Sequence, residues 1–120
     1  MKILWVSRHR PLPCQIAELK RLFGTEVEIA QDSRPFDSAE TIAARFREGR
    51  YGEMVVVAPL SVIAKLCELG IRPLWAEMRI AGPGEPADLE YNGRRYRFVR
   101  FRRIVALRLE FEELEPRAAD

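Results

Sequence analysis

The chain has 120 residues, of which 48% are hydrophobic and 32% charged, and its 20 basic residues nearly balance 18 acidic ones. This composition is typical of one globular domain with a modest core, and it excludes a disordered chain or a disulfide-stapled miniprotein. No apolar run approaches the roughly 20 residues that span a bilayer, and the first residues lack a signal-peptide pattern. We therefore expect a cytoplasmic protein that does not bind membranes.

Strands and helices alternate through the first 80 residues. Short runs rich in β-branched residues predict buried strands over residues 2–7, 27–30, 54–58 and 74–80. Between them, apolar residues at helical spacing predict three helices, which end near Gly24, Gly49 and Gly70. The connections are too long for tight hairpins, so this β-α-β-α-β-α-β order predicts a mainly parallel sheet with right-handed crossovers. We expect a small Rossmann-like α/β core over residues 1–80 of a single domain.

The remaining residues, 81–120, are expected to form a hairpin extension of that domain. A turn-rich loop at 81–86 precedes the Asn92-Gly93 pair, which is favoured in two-residue hairpin turns. From Val99 onward, the odd positions 99, 101, 105, 107, 109 and 111 are apolar, which predicts a long or bent strand packed on one face. A helix from Ile104 to Leu114 is the competing interpretation, because apolar residues in that stretch also share a helical face.

Two segments follow neighbouring strands and are expected to meet. In an open parallel sheet, ligands bind beyond the carboxyl ends of the strands, where the strand order reverses. If the order is 2-1-3-4, that place lies between the first and third strands, where residues 7–10 and 58–61 leave the sheet. The first segment supplies Arg8, His9 and Arg10, and the second supplies the Ser61 hydroxyl and the free amides of a helix N-terminus. The sequence therefore predicts an anion site.

Missing motifs narrow the chemistry of that site. The chain has no Gly-rich dinucleotide or P-loop motif, so we expect no cofactor. One histidine and the distant Cys14 and Cys67 cannot assemble an ordinary zinc site, and no acidic cluster lies near the crevice to hold magnesium, so we expect no metal. Metal-free RNA cleavage, in which a 2′-hydroxyl attacks the neighbouring phosphate, remains compatible with His9 as the proton-transfer group. The alternatives are a loop histidine and a Ser61 that only caps its helix. Gln15, in the first turn of the first helix, is near enough to face the crevice, but we expect it to be exposed to solvent.

The arginines are a second candidate feature. Arginine accounts for 17 of the 20 basic residues, a bias that phosphate binding or genome composition would equally produce. Residues 94–108 contain seven arginines, no acidic residue and several aromatics, which would suit single-stranded RNA. The residues assigned to that nucleic-acid surface are Arg97, Arg100 and Arg102. The alternative is that cross-strand or intersubunit ion pairs, with the glutamates at 110–115 among the partners, account for the run.

The order of these features resembles a known family. The opening strand that ends in Ser7-Arg8-His9, together with the strand, turn, cysteine-containing helix and Gly-containing turn of residues 55–75, is similar to small CRISPR-associated proteins of Rossmann-like (CARF-related) fold. The resemblance implies a symmetric homodimer that binds cyclic oligoadenylate, the second messenger of type III CRISPR antiviral defence, and a ring-nuclease activity is known in such proteins. Residues 7–9 would then contact or act on the ligand. The residues implied to line the same pocket are Pro59, Leu60 and Ser61.

The sequence thus supports two main hypotheses. In the first, Arg8 and Arg10 hold phosphates of a cyclic oligoadenylate, His9 assists proton transfer and Ser61 positions the scissile phosphate. In the second, the protein is a non-catalytic nucleic-acid-binding or adaptor module that acts through the arginine-rich hairpin. A structural dimerisation protein, whose charges only pair with one another, is a third interpretation.

Overall fold

The computed structural model describes residues 1–118, which form a six-stranded sheet and three helices. The strands are β1 (Lys2–Val6), β2 (Glu28–Asp32), β3 (Glu53–Val56), β4 (Leu74–Ile80), β5 (Leu89–Tyr91) and β6 (Arg94–Arg103). The helices are α1 (Pro13–Phe23), α2 (Ala39–Glu48) and α3 (Leu60–Glu68). None of the helices in this part of the chain has the length and apolar character needed to cross a membrane.

The sheet order is β2-β1-β3-β4-β6-β5, so the expected 2-1-3-4 order of the first four strands is confirmed. β1 pairs in parallel with β2 and β3, and β3 pairs in parallel with β4. The C-terminal hairpin adds to the same sheet in antiparallel pairing, through β6 beside β4 and β5 at the edge. The α/β class is therefore confirmed, but the sheet as a whole is mixed.

The helices cover both faces of the parallel part of the sheet. On one face, α2 and α3 pack on β1 and β3 in a cluster whose fully buried members include Ile42 and Leu66. On the other face, α1 packs through Leu19, and Phe101 of β6 meets the ring of Trp5 edge-on with 6.2 Å between centroids. Alternate residues of one buried strand thus enter opposite cores, which is why the strand sequences read as continuous apolar runs.

Two local predictions are corrected where helices begin. The N-cap of α3 is Pro59, whose carbonyl accepts hydrogen bonds from the Val62 and Ile63 amides, so the prediction of Ser61 as the cap is wrong. The fixed φ of proline, here −57°, allows the helix to begin directly after it. Gln15 was expected in solvent but is only 5% exposed, because its side-chain oxygen accepts the Leu12 amide at 2.9 Å and closes the first turn of α1.

The hairpin turn is as predicted, whereas the segment after it is not. Asn92 and Gly93 adopt φ values of 50° and 74° and connect β5 directly to β6, which matches the positive φ values of a two-residue turn. β6 ends at Arg103, so the longer strand is wrong, and the competing helix over 104–114 is also absent from residues 104–118. Arg103 pairs with Leu74, the first residue of β4, and the Ile104 amide donates to the Pro73 carbonyl at 2.9 Å, but Pro73 has no amide with which to continue the ladder.

Candidate functional site

The larger of two clefts lies at the carboxyl edge of the parallel strands, between β1, β3 and the projecting end of β4. It has a volume of about 410 Å³ and opens where the loops after β1 and β3 leave the sheet. Its walls are mainly apolar and include Trp5, Leu12, Val57, Leu60, Trp75 and Ile104. Its polar lining comes from Ser7, His9, Arg10 and Gln15. An apolar cleft with a few polar groups at one side is the usual form of a small-molecule site.

A smaller cleft adjoins it on the side of β2. It has a volume of about 350 Å³ and lies between residues 6–9 after β1 and residues 33–36 after β2. Arg8 lines this cleft, while Ser7 and His9 line both clefts. The loop after β1 therefore forms the ridge between two depressions on one edge of the sheet. An elongated or cyclic ligand that covers this edge would contact the loop from both sides.

Hydrogen bonds hold that loop in place. The indole Nε1 of Trp5 donates to the carbonyl oxygen of His9 at 2.9 Å, and the His9 amide donates to the Ser7 hydroxyl at 3.1 Å. From the neighbouring strand, the Gln31 side-chain amide donates to the Ser7 carbonyl at 3.1 Å. The His9 ring meets the Tyr91 ring of the hairpin edge-on, with 5.4 Å between centroids. The imidazole is thus positioned at the rim by both the core and the hairpin, although its side chain is exposed.

Two arginines of this loop are free to bind an anion. Within residues 1–118, the side chains of Arg8 and Arg10 make no ion pair or hydrogen bond, and both residues are exposed. Arg34, in the loop across the smaller cleft, differs because it donates to both carboxylate oxygens of Asp32, at 2.9 and 2.7 Å. That interaction lowers the pKa of Asp32 and keeps it ionised. Arg45 lies 3.7 Å from the same carboxylate, so Asp32 offsets only one of these two charges. The arginines of these two loops that have no carboxylate partner within residues 1–118 are Arg8 and Arg10.

The loop after β3 contributes less than the sequence predicted. Leu60 lines the larger cleft, but neither Pro59 nor Ser61 lines either cleft, and the Ser61 side chain lies on the exposed first turn of α3. The Leu60 and Ser61 amides have no hydrogen-bond acceptor within residues 1–118, as expected at a helix N-terminus. This loop thus offers backbone donors and an apolar side chain rather than a hydroxyl.

Several residues of the site were missed in the sequence. The loop at 33–36 could have been included, because β2 is parallel to β1 and ends at the same edge. For Trp75 and Tyr91, nothing in the sequence indicated that they would lie at this edge of the sheet. Trp75 reaches the cleft because Leu74 pairs with Val55, so that β4 continues past the end of β3. Tyr91 reaches His9 only because the hairpin folds beside β4.

The donor groups of the described chain give little support to metal or thiol chemistry. No group of three or more His, Cys, Asp or Glu side chains in residues 1–118 is arranged to hold a metal ion. Cys14 and Cys67 lie on α1 and α3 as free thiols. Burial, with a contribution from the Asp88 carboxylate, raises the pKa of Cys14 and keeps it protonated at neutral pH. Cys14 is therefore not an activated nucleophile.

The arginine-rich hairpin face is occupied by ion pairs. Glu77 of β4 lies between Arg100 at 3.3 Å and Arg102 at 3.2 Å, while Arg97 pairs with Glu85 at 3.3 Å. The partners are thus acidic residues of the sheet and its loops. None of the ion pairs found within residues 1–118 involves the glutamates at 110–115. The carboxylates on this face offset its positive charge, so it attracts phosphate less strongly than its arginine count suggests.

The contacts of the Glu85 carboxylate stabilise the hairpin in a way that depends on pH. This carboxylate accepts hydrogen bonds from Arg79 and from the Gly82 amide, and together with Arg97 these contacts lower its pKa from 4.5 to about 2. Because the folded pKa lies below the unfolded value, the stabilisation is complete above pH 4.5 and is lost as the pH falls toward 2. We expect Glu85→Gln to reduce the loss of stability between pH 5 and pH 2, as measured by urea unfolding. Equal acid sensitivity in both proteins would contradict this role.

Comparisons of the chain with protein-family models, with curated proteins and with solved structures find no significant match.

Proposed function

We propose that this protein is a Rossmann-like, CARF-related protein that binds a cyclic oligoadenylate at the carboxyl edge of its parallel strands, with metal-independent cleavage of the ligand as its reaction. The observation that carries the proposal is the loop after β1. It places two unpaired arginines beside His9 on the ridge between two clefts. The Ser7-Arg8-His9 motif on that loop is the one that resembles the family.

The chemistry of a cyclic oligoadenylate matches the two kinds of surface at this edge. Its phosphodiesters need fixed positive charge, which Arg8 and Arg10 supply, and backbone donors, which the amides of Leu60 and Ser61 supply. Its adenine rings need apolar and aromatic surface, which the larger cleft provides through Leu60 and the half-exposed Trp75. A ligand that carries only a carboxylate would leave most of this surface unused.

Cleavage by this site would need no group from outside the protein and ligand. A ribose 2′-hydroxyl attacks the adjacent phosphorus, the P–O5′ bond breaks, and a 2′,3′-cyclic phosphate and a 5′-hydroxyl are formed. The protein would align the ligand, stabilise the extra negative charge through the arginines, and move protons through His9. Ser61 takes no part in proton transfer in this scheme, because its side chain lines neither cleft. In this scheme the Ser61 backbone amide, rather than its hydroxyl, positions the scissile phosphate.

The proposal includes a homodimer in which two copies of the edge contact one cyclic ligand, since a two-fold ligand matches a two-fold protein. The alternative, an RNA-binding module that uses Arg97, Arg100 and Arg102, has less support because all three arginines are paired with carboxylates. Binding of generic single-stranded RNA that weakens steeply with salt and is lost on replacing these three residues would favour that alternative.

The test is to incubate the purified protein with cyclic tetra-adenylate and cyclic hexa-adenylate in EDTA, and to measure binding by calorimetry and products by chromatography. We expect saturable binding of one of the two rings and conversion to linear products with cyclic-phosphate ends. Linear adenylate of the same length serves as the control ligand and should bind more weakly. If neither ring binds, the proposal is wrong. If a ring binds but no linear product forms, the protein is a receptor for the ligand and the proposed cleavage reaction is wrong.

A further inference from the structure

The segment at residues 104–118, here called the tail, has neither helix nor strand and carries several exposed apolar side chains. Its large apolar side chains are strongly exposed, at 61% for Val105, 65% for Leu109, 83% for Phe111 and 86% for Leu114. The radius of gyration is 17.8 Å, against about 14 Å expected for a compact domain of this length. This much exposed apolar surface on a single segment is typical of a protein–protein contact.

The tail also carries the pattern of a strand that lacks a neighbour. From 107 to 111 its residues alternate strictly, with Leu107, Leu109 and Phe111 on one side and Arg108 and Glu110 on the other. Such alternation is expected for a strand with one face buried. Within residues 1–118 the pattern finds no partner strand, because β4 begins at Leu74 and its pairing with β6 ends at Arg103.

If a second tail pairs with the first in antiparallel orientation, one register places opposite charges against each other and apolar residues against each other. With Leu109 opposite its own symmetry mate, Arg108 lies opposite Glu110 on both sides of the axis, and Leu107 lies opposite Phe111. If the two-fold axis passes through Arg108 or Glu110 instead, that residue lies opposite its own symmetry mate, so two like charges face each other. Centring on Phe111 sets Glu110 against Glu112. Centring on Leu107 loses both unlike-charge pairs, because Arg108 then lies opposite Ala106 and Glu110 lies opposite Ile104.

We propose that the tails of two copies of this chain pair as an antiparallel two-stranded ribbon about a two-fold axis at Leu109. Across the two-fold axis, Arg108 of each tail lies opposite Glu110 of the other, and these two unlike-charge pairs favour the association. A ribbon of two strands is only marginally stable by itself, so the face that carries Leu107, Leu109 and Phe111 must also pack on another apolar surface. Ile104, the first residue of the tail, packs against the core cluster beneath α2 and α3, so apolar surface adjoins the start of the ribbon.

The test uses charge reversal, with the association measured by analytical ultracentrifugation of ligand-free full-length protein. The wild type is expected to dimerise. Arg108→Glu and Glu110→Arg, each alone, place two like-charged pairs in the ribbon and should weaken the dimer by about tenfold or more. Mixing these two variants restores opposite charges in both pairs, so a heterodimer should form where neither variant dimerises. Arg117→Glu and Glu115→Arg make the same charge changes outside the ribbon and should leave the dimer unchanged.

Cysteine cross-linking tests the register itself. In a Cys14→Ser and Cys67→Ser background, Leu109→Cys should form an intermolecular disulfide readily, since directly opposed residues have Cβ atoms about 5 Å apart. Val105→Cys should not, because its symmetry mate would lie about 27 Å away along the ribbon. A monomeric wild type, a dimer indifferent to both charge reversals, or equal cross-linking at 105 and 109 would overturn the proposal. These measurements use no nucleotide, so their outcome is separate from that of the proposed ligand.

Discussion

Replacing Arg8 and Arg10 together by alanine is expected to weaken the binding of the cyclic oligoadenylate by about a hundredfold, while the free energy of unfolding stays within about 0.5 kcal/mol of the wild type. Both guanidinium groups are exposed and unpaired within residues 1–118, so their removal breaks no intramolecular contact in the described chain. Each would lose a charge-assisted hydrogen bond to phosphate. The measurement is calorimetric titration at fixed ionic strength.

A matched control removes the same charge from the opposite edge of the sheet. Arg50 and Arg72 precede β3 and β4, are exposed, and donate no side-chain hydrogen bond within residues 1–118. Arg50→Ala with Arg72→Ala should therefore change the affinity by less than about threefold, through net charge alone. If both double variants lose affinity equally, the binding is nonspecific attraction and the site is wrongly placed. His9→Ala with an unchanged cleavage rate would contradict only the proton-transfer role.

Replacing Leu66 by alanine is expected to cost about 2–5 kcal/mol of the free energy of unfolding. Leu66 is fully buried in the cluster in which α3 packs on the sheet beside Ile42 of α2. Since a domain of this size has a total stability of about 5–15 kcal/mol, this loss is a large part of the whole. Urea unfolding followed by circular dichroism measures it.

The control for this substitution is the same change in the same helix at an exposed position. Leu60 is 65% exposed, so Leu60→Ala should alter the free energy of unfolding by less than about 1 kcal/mol. The pair of variants isolates burial from helix propensity, because both place alanine in α3. A small effect at Leu66, or equal effects at both positions, would show that α3 does not pack on the sheet as described here.

The alternation of strands and helices could be predicted from the sequence, because the local pattern of each element agrees with its place in the tertiary structure. The buried run of β3 matched its prediction. The Asn92-Gly93 turn did as well. Patterns that a tertiary contact overrides were predicted less well. Gln15 has a polar side chain, yet it is buried because it closes a helix turn beneath the hairpin.

The site shows the same division. Residues 7–10 could be placed at the carboxyl edge from strand order alone, since parallel strands end together. The roles of individual side chains could not. Ser61 was a plausible cap and phosphate-positioning residue by spacing, but Pro59 is the N-cap of the helix and Ser61 lines neither cleft. The partners of the hairpin arginines also required the register, which places Glu77 opposite Arg100.

By itself, the sequence determined the α/β class, the order of the elements and the loop that carries Arg8, His9 and Arg10, because hydrophobic periodicity and turn residues act over a few positions. Only the tertiary structure decided which arginines are free, since an ion pair depends on residues far apart in the chain. It also showed that the apolar alternation of the tail continues past the end of β4. A strand needs a neighbour for its backbone hydrogen bonds, and beyond the Ile104 amide, which donates to the Pro73 carbonyl, residues 1–118 provide none for this one.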